Sequence, residues 1–140
     1  MTRTPDLSRF VAAQESTWPA ALAELEAGRK ATHWMWVIFP QLASLGRSST
    51  AKHYGICGLE EARAYLAHPV LGPRLSTAAR TILAHEGKTA ETILGATDAL
   101  KLRSSATLFD AAGGGPEFRQ VLDTFYDAEP CPLTLEALRG

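Results

Sequence analysis

Apolar residues recur at intervals of three and four along most of this 140-residue chain. The first stripe runs from Leu7 to Gln14, with Asp6 as a candidate N-cap behind Pro5. This period is typical of amphipathic helices, and no stretch alternates as a half-buried strand does. The sequence therefore predicts an all-α fold: one compact domain over residues 1–140, with six to eight short helices at varied angles rather than a simple bundle. The remaining stripes are Trp18–Ala21–Leu22–Leu25, Leu59–Ala62–Leu66, Leu71–Leu75–Ala78–Ile82–Leu83, Ala99–Leu102–Ala106–Phe109 and Phe118–Val121–Leu122–Phe125, with a short last piece from Thr134 to Leu138.

The segment THWMWVIFPQ at residues 32–41 departs from this pattern. Its apolar run is too short for periodicity to separate a buried helix capped by Thr32 from a buried strand. On a helix, Trp34 and Trp36 would point about 200° apart, so one would enter the core and the other would line a cleft or surface. His33 at the helix start would tend to be neutral, because the helix dipole disfavours a cation there.

Composition narrows the classes of function. The net charge is −1, with 46% hydrophobic and 21% charged residues, so nothing calls for nucleic acid or an anionic membrane. No apolar run approaches the roughly 18 residues of a membrane span, and MTRTPDLSRF lacks the apolar segment of a signal peptide. Cys57 and Cys131 form no zinc or disulfide pattern, and no cofactor motif is present. We expect a cytoplasmic protein with two reduced thiols, no metal and no cofactor.

The stretch after Pro40 is rich in Gly, Ser and Thr, and we expect an ordered, functional loop there. Around Gly46 it carries Arg47, Ser48 and Lys52, which could present backbone N–H groups and two cations to an anion. The alternative is a solvated basic loop.

Two helical stretches carry further polar candidates. Glu61 and Tyr65 are four apart and lie off the apolar stripe, so they form either a surface pair or a general acid–base with its hydrogen-bond partner. On the helix over 97–109, a polar face beside the apolar stripe combines Asp98 and Lys101 with two adjacent serines. Serine is a mediocre helix former, so Ser104 and Ser105 either permit close helix packing or serve something polar; the sequence leaves both open.

Three motifs, THWMWVIFPQ, LAHPVLGPRL and DALKLRSSATLF, together resemble a bacterial family of unknown function whose members often carry the label "calpastatin". The resemblance spans about Leu7 to Leu138 and implies a small, mainly α-helical protein without implying a reaction. Calpain inhibition does not fit, because such inhibitors are disordered and this composition is not. The chain departs from the family pattern at Val37, Leu94 and Ala106, and at Cys131, where Asp is usual.

A weaker resemblance is to the NADAR families, in the order of an aromatic His-containing motif, an EA-containing helix and a later K-rich helix. Those all-α proteins are tied to ADP-ribose and to N-glycosidic bonds of ribosylated bases. The similarity implies a phosphorylated small-molecule ligand, and it rests on order and residue type.

These observations lead to two hypotheses. The first is a cleft for a phosphorylated ribose or nucleotide-like ligand, with an N-glycosidase activity in which Glu61 or Asp98 supplies the carboxylate. The second is a non-catalytic module that binds a ligand or a protein. The oligomeric state is left open. The candidate ligand-binding residues are His33, Trp34, Trp36, Gln41, Arg47, Ser48, Tyr65, Lys101, Ser104 and Ser105.

Overall fold

The computed structural model of the chain describes residues 7–46 and 48–139. Within these ranges the fold is all-α, as predicted, and it contains no strand beyond a single parallel bridge between Leu42 and Ile56. No helix in this part of the chain is long and apolar enough to cross a membrane. The elements are α1 (Ser8–Ala27), α2 (Met35–Ile38), a 3-10 turn (Ala43–Leu45), α3 (Ser49–His53), α4 (Leu59–Ala67), α5 (Leu71–Leu83), α6 (Ala90–Leu94), α7 (Ala96–Ala111), α8 (Pro116–Phe125) and α9 (Pro132–Arg139).

The first two predicted stripes, Leu7 to Gln14 and Trp18 to Leu25, belong to one continuous helix. Helix α1 continues through Pro19. Proline removes one backbone donor from a helix, but Ala21 and Leu25 beyond it are fully buried and hold the second half against the core. The helix ends at Gly28, whose φ of 72° suits glycine. The predicted N-cap, Asp6, lies outside the described residues.

Helix α7 occupies the centre of the molecule. It packs against α4, α6, α8 and α9. Its predicted apolar stripe is buried, and so are the neighbouring residues 104, 105, 107 and 108. A helix that is buried on most of its surface does not have one apolar face and one solvent-exposed face. Small and polar residues therefore also occur at buried positions of α7.

A chain of aromatic contacts links the four helices α1, α4, α7 and α8 through the core. The ring centroids are 5.2 Å apart for Phe10 and Tyr65, 5.3 Å for Tyr65 and Phe109, and 5.8 Å for Phe109 and Phe118. In α8, Phe118 is buried as predicted. Phe125, at the last turn, is only half-buried, so its prediction as a core residue is wrong.

The segment that periodicity could not assign forms the one-turn helix α2. Thr32 does not cap it, because its hydroxyl donates to Glu24 at 2.6 Å. The chain after Pro40, where we expected a loop, contains the 3-10 turn and α3, and hydrogen bonds join its two ends. Ala43 N–H donates to the Ile56 carbonyl at 2.8 Å, and Ile56 N–H donates to Gln41 at 2.9 Å.

Candidate functional site

A cleft of about 440 Å³ opens between α2, the 3-10 turn, and the exposed ends of α7 and α9. Its lining combines one large aromatic side chain, one lysine, several polar groups and three leucines. The lining residues are Trp36, Gln41, Leu45, Gly46, Ser48, Thr97, Leu100, Lys101, Ser104 and Leu133.

The two tryptophans divide between core and cleft, as the sequence predicted. Trp34 is 2% exposed, and its indole N–H donates to Glu24 at 2.9 Å. Trp36 is half-buried and lines the cleft. The Lys101 ammonium lies 4.1 Å from the Trp36 ring centroid, which is cation–π distance. Trp36 and Lys101, two of the candidate ligand-binding residues, therefore line the same cleft.

Asp98 lies between two lysines next to the cleft. Its Oδ2 is 2.9 Å from the Lys30 ammonium, and its Oδ1 is 3.3 Å from the Lys101 ammonium. Lys30 in turn lies 5.4 Å from the ring centroid of Trp34. The Asp98 carboxylate neutralises only part of the charge of the two lysines. This side of the cleft therefore carries a net positive charge.

Glu24 fixes the segment that precedes α2. Its carboxylate accepts hydrogen bonds from Ala31 N–H at 2.6 Å, from Thr32 N–H at 2.9 Å and from the Trp34 indole. Burial alone would raise the pKa of Glu24, but these hydrogen bonds, with that of the Thr32 hydroxyl, outweigh it and lower the pKa to about 2. Glu24 thereby sets the direction in which Trp34 enters the core and Trp36 leaves it.

The two adjacent serines of α7 have different surroundings. Ser104 lines the cleft, and its hydroxyl donates to the Leu100 carbonyl at 3.2 Å. Ser105 is 1% exposed, and its hydroxyl has no partner among the described residues. Ser105 is therefore a small residue that allows close packing of α7, and it does not reach the cleft.

Cys131 lies beneath the cleft, directly before α9. Its Sγ is 3.4 Å from the Ser104 hydroxyl, and its N–H donates to Thr107 at 2.8 Å. Burial opposes ionisation of the thiol, but hydrogen bonds from the Ser104 hydroxyl and from the first backbone N–H groups of α9 lower its pKa overall. The thiol thus takes the place at the helix start where the resemblance implies Asp. Both cysteines are free, as expected.

Glu61 and Tyr65 do not form the predicted acid–base pair. Glu61 is bound by Arg9 and by Cys57 N–H, each at 3.1 Å, and lines a separate depression with residues 57–60. Tyr65 is fully buried, its hydroxyl accepts from Gln14 at 3.1 Å, and burial raises its pKa. Glu61 and Tyr65 bind different partners, and neither lines the Trp36 cleft, so the acid–base prediction is wrong. The surface-pair alternative is also wrong, because both side chains are buried.

The other candidates have mixed positions. Gln41 and Ser48 line the cleft. His33 is exposed and lines a neighbouring cleft of about 400 Å³, of which Trp36 forms a shared wall. Arg47 lies outside the described residues. No group of three or more His, Cys, Asp or Glu among residues 7–46 and 48–139 could hold a metal ion.

Six residues at or beside the cleft were not among the candidates: Lys30, Leu45, Gly46, Thr97, Leu100 and Leu133. Lys30 is far from Asp98 along the chain, and no local period connects them. Leu100 and Leu133 could have been suspected, because both are large apolar residues outside a predicted apolar stripe.

The comparisons with known proteins agree with the first resemblance. The model of the family described as "Protein of unknown function (DUF1810)" matches residues 4–138. The chain belongs to this family. Within the DUF1810 family, the chain is similar to the crystal structure of the conserved hypothetical protein Rv1873 from Mycobacterium tuberculosis. That match has 44% identity and a TM-score of 0.94, and covers 96% of this chain and 97% of that one. No curated protein matches the chain. These matches lend no support to a relationship with calpastatin or with the NADAR proteins.

Proposed function

We propose that this protein binds a nucleotide-like ligand with a phosphate group in the Trp36–Lys101 cleft. The observation that carries the proposal is the position of the Lys101 ammonium, 4.1 Å from the Trp36 ring on one wall of the cleft. An aromatic face can stack on a planar base, and a lysine ammonium is a point charge suited to phosphate.

The size and the chemistry of the cleft support a small-molecule ligand. Its volume of about 440 Å³ lies within the range of roughly 300–1,000 Å³ usual for such sites. Apolar side chains dominate the lining, and a few polar groups from Gln41, Thr97 and Ser104 can orient the ligand.

Asp98 allows Lys101 to bind an anion at a modest cost. When the Lys101 ammonium turns from Oδ1 of Asp98 to a phosphate oxygen, Lys30 still pairs with Oδ2 at 2.9 Å. The carboxylate is then not left without a cation, which avoids the large penalty of a partly buried unpaired charge.

N-glycosidase activity is a second candidate, and Asp98 is the carboxylate that favours it. Such a reaction needs a carboxylate to stabilise an oxocarbenium-like sugar or to activate water. Asp98 directly contacts the cleft-lining Lys101, whereas Glu61 is held by Arg9 elsewhere. Both Asp98 oxygens are engaged by lysines, so binding without turnover agrees better with the geometry.

Calorimetric titration with ADP-ribose, ADP and AMP tests the binding proposal. Lys101→Met should weaken binding by about tenfold or more, because a hydrogen bond to a charged group contributes roughly 1.5–3 kcal/mol. Trp36→Leu should weaken binding by about fivefold or more, because stacking of a base on an aromatic side chain contributes roughly 1–3 kcal/mol. Lys88→Met is a matched control, since Lys88 is exposed and does not line the cleft. Trp18→Leu is the control for loss of an indole.

Two results would decide against the proposal. Absence of binding by all three nucleotides to the wild-type chain contradicts it directly. Equal losses in the Lys88→Met and Lys101→Met variants would show a diffuse charge effect instead of a site. Release of free base or nicotinamide from ribosylated substrates, abolished in Asp98→Asn with binding retained, would establish the glycosidase candidate.

A further inference from the structure

Two large hydrophobic side chains stand exposed among the described residues, and both line the same cleft. Leu100 is 65% exposed and Leu133 is 62% exposed. They come from different helices, α7 and α9. Single exposed leucines are ordinary on a protein surface, whereas apolar side chains gathered on one concavity mark a binding site.

The surroundings of the two leucines favour one kind of occupant. The wall that they share also carries Trp36 and the Lys101 ammonium. An occupant that complements this lining needs an anionic group for Lys101 and an aliphatic group for the leucines. A bare nucleotide supplies the first and leaves both leucines in water.

We propose that the ligand of this cleft is an alkyl ester of a nucleotide-like phosphate. Its phosphate contacts Lys101, its base contacts Trp36, and its aliphatic chain lies against Leu100 and Leu133. This inference rests on the proposed function, because it takes the same cleft to be the nucleotide site and adds the apolar group.

A series of ligands with alkyl chains of increasing length tests the alkyl-binding inference separately from nucleotide binding. AMP and its butyl, hexyl and octyl phosphate esters are titrated into the wild-type chain below their critical micelle concentrations. Each methylene that is buried between the leucines should raise affinity roughly twofold to fourfold, since one buried CH₂ contributes about 0.8 kcal/mol. AMP itself reports on the proposed function alone.

Variants of the cleft residues test which side chains cause the gain in affinity with alkyl-chain length. The double variant Leu100→Ser/Leu133→Ser should remove the dependence on chain length, so that the octyl ester binds this variant no more tightly than the butyl ester does. Both side chains are largely exposed, so the fold should survive, and a melting curve checks this. Lys101→Met should weaken every member of the series by a similar factor and keep the slope. Glu136→Ser, an exposed position on α9, is the matched control.

Other outcomes overturn the inference. If AMP binds but the alkyl chains do not raise affinity, the proposed function is supported and the inference of an alkyl ester is wrong. A slope that persists in the double leucine variant shows that the chain lies elsewhere. Co-sedimentation with phosphatidylcholine–phosphatidylserine vesicles that the leucine variant loses, without a gain for the soluble esters, would assign the leucines to a lipid surface. Concentration-dependent dimerisation lost in the same variant would assign them to a self-interface.

Discussion

The Lys101 ammonium lies 4.1 Å from the centroid of the Trp36 indole ring while remaining 3.3 Å from Oδ1 of Asp98. One cation therefore joins an aromatic face to a carboxylate at the wall of the cleft. Its side chain is only 18% exposed, so water screens this arrangement less than it would an open surface pair.

We predict a measurable coupling between Trp36 and Lys101 in the absence of any ligand. A double-mutant cycle of Trp36→Leu and Lys101→Met, measured by urea unfolding, should give about 0.5–1 kcal/mol, the size of a partly exposed cation–π contact. The cycle of Lys101→Met with Trp18→Leu is the control and should be additive. A coupling of zero in the first cycle would mean that the contact adds nothing to stability.

Helix α8 offers a comparison of two phenylalanines within one element. Phe118 is buried and contacts Phe109, whereas Phe125 is half-buried at the last turn. We expect Phe118→Ala to lower the free energy of unfolding by about 3–5 kcal/mol, and Phe125→Ala to lower it clearly less. Chemical denaturation of both variants measures the difference. Equal losses would place Phe125 in the core after all.

We predicted the division of the two tryptophans from a helix that would contain both. The division is present, although α2 begins only at Met35 and Trp34 precedes it with a non-helical φ of −145°. The prediction did not require knowing which one was buried. That choice depends on Glu24, which binds the Trp34 indole and the backbone of residues 31 and 32. Glu24 lies on α1, so no pattern within THWMWVIFPQ could indicate it.

For Glu61 and Tyr65, in contrast, the prediction from the sequence failed. Spacing of four residues places two side chains on one side of a helix, but it does not determine what packs against that side. In the fold, Arg9 from α1 takes the carboxylate and Gln14 from α1 takes the hydroxyl. The pairing with Lys30 at Asp98 was missed for the same reason: long-range partners are set by the tertiary fold.

Gly72 marks a close approach between α4 and α5 that we expect to be intolerant of a side chain. A Cβ at this position would lie 2.1 Å from the Leu66 carbonyl oxygen, so the backbone would have to shift. Gly72→Ala should therefore destabilise the chain by about 1–3 kcal/mol, as overpacking does. At Gly87 a Cβ would have nothing within 4 Å, so Gly87→Ala should change the melting temperature little. A Gly72→Ala chain as stable as wild type would contradict the close contact.

Glu24 should make the stability of the chain depend on pH in the acid range. Its pKa is lowered from 4.5 to about 2 in the folded chain, because hydrogen bonds from Thr32, Ala31 and Trp34 outweigh the effect of burial. The folded state therefore binds this proton less readily than the unfolded state does. The stabilisation is complete above about pH 4.5 and is lost as the pH falls towards 2.

Urea unfolding of the wild type and of Glu24→Gln from pH 7 to pH 2 tests this relationship. At pH 7 the variant should be less stable by about 1–3 kcal/mol, the usual contribution of hydrogen bonds to a charged group. The difference should shrink below pH 4.5, because protonation of Glu24 then removes the advantage of the wild type. Glu26→Gln, an exposed position on the same helix, is the matched control and should track the wild type throughout. A gap between wild type and Glu24→Gln that stays constant down to pH 2 would show that the carboxylate charge is not what holds the segment before α2.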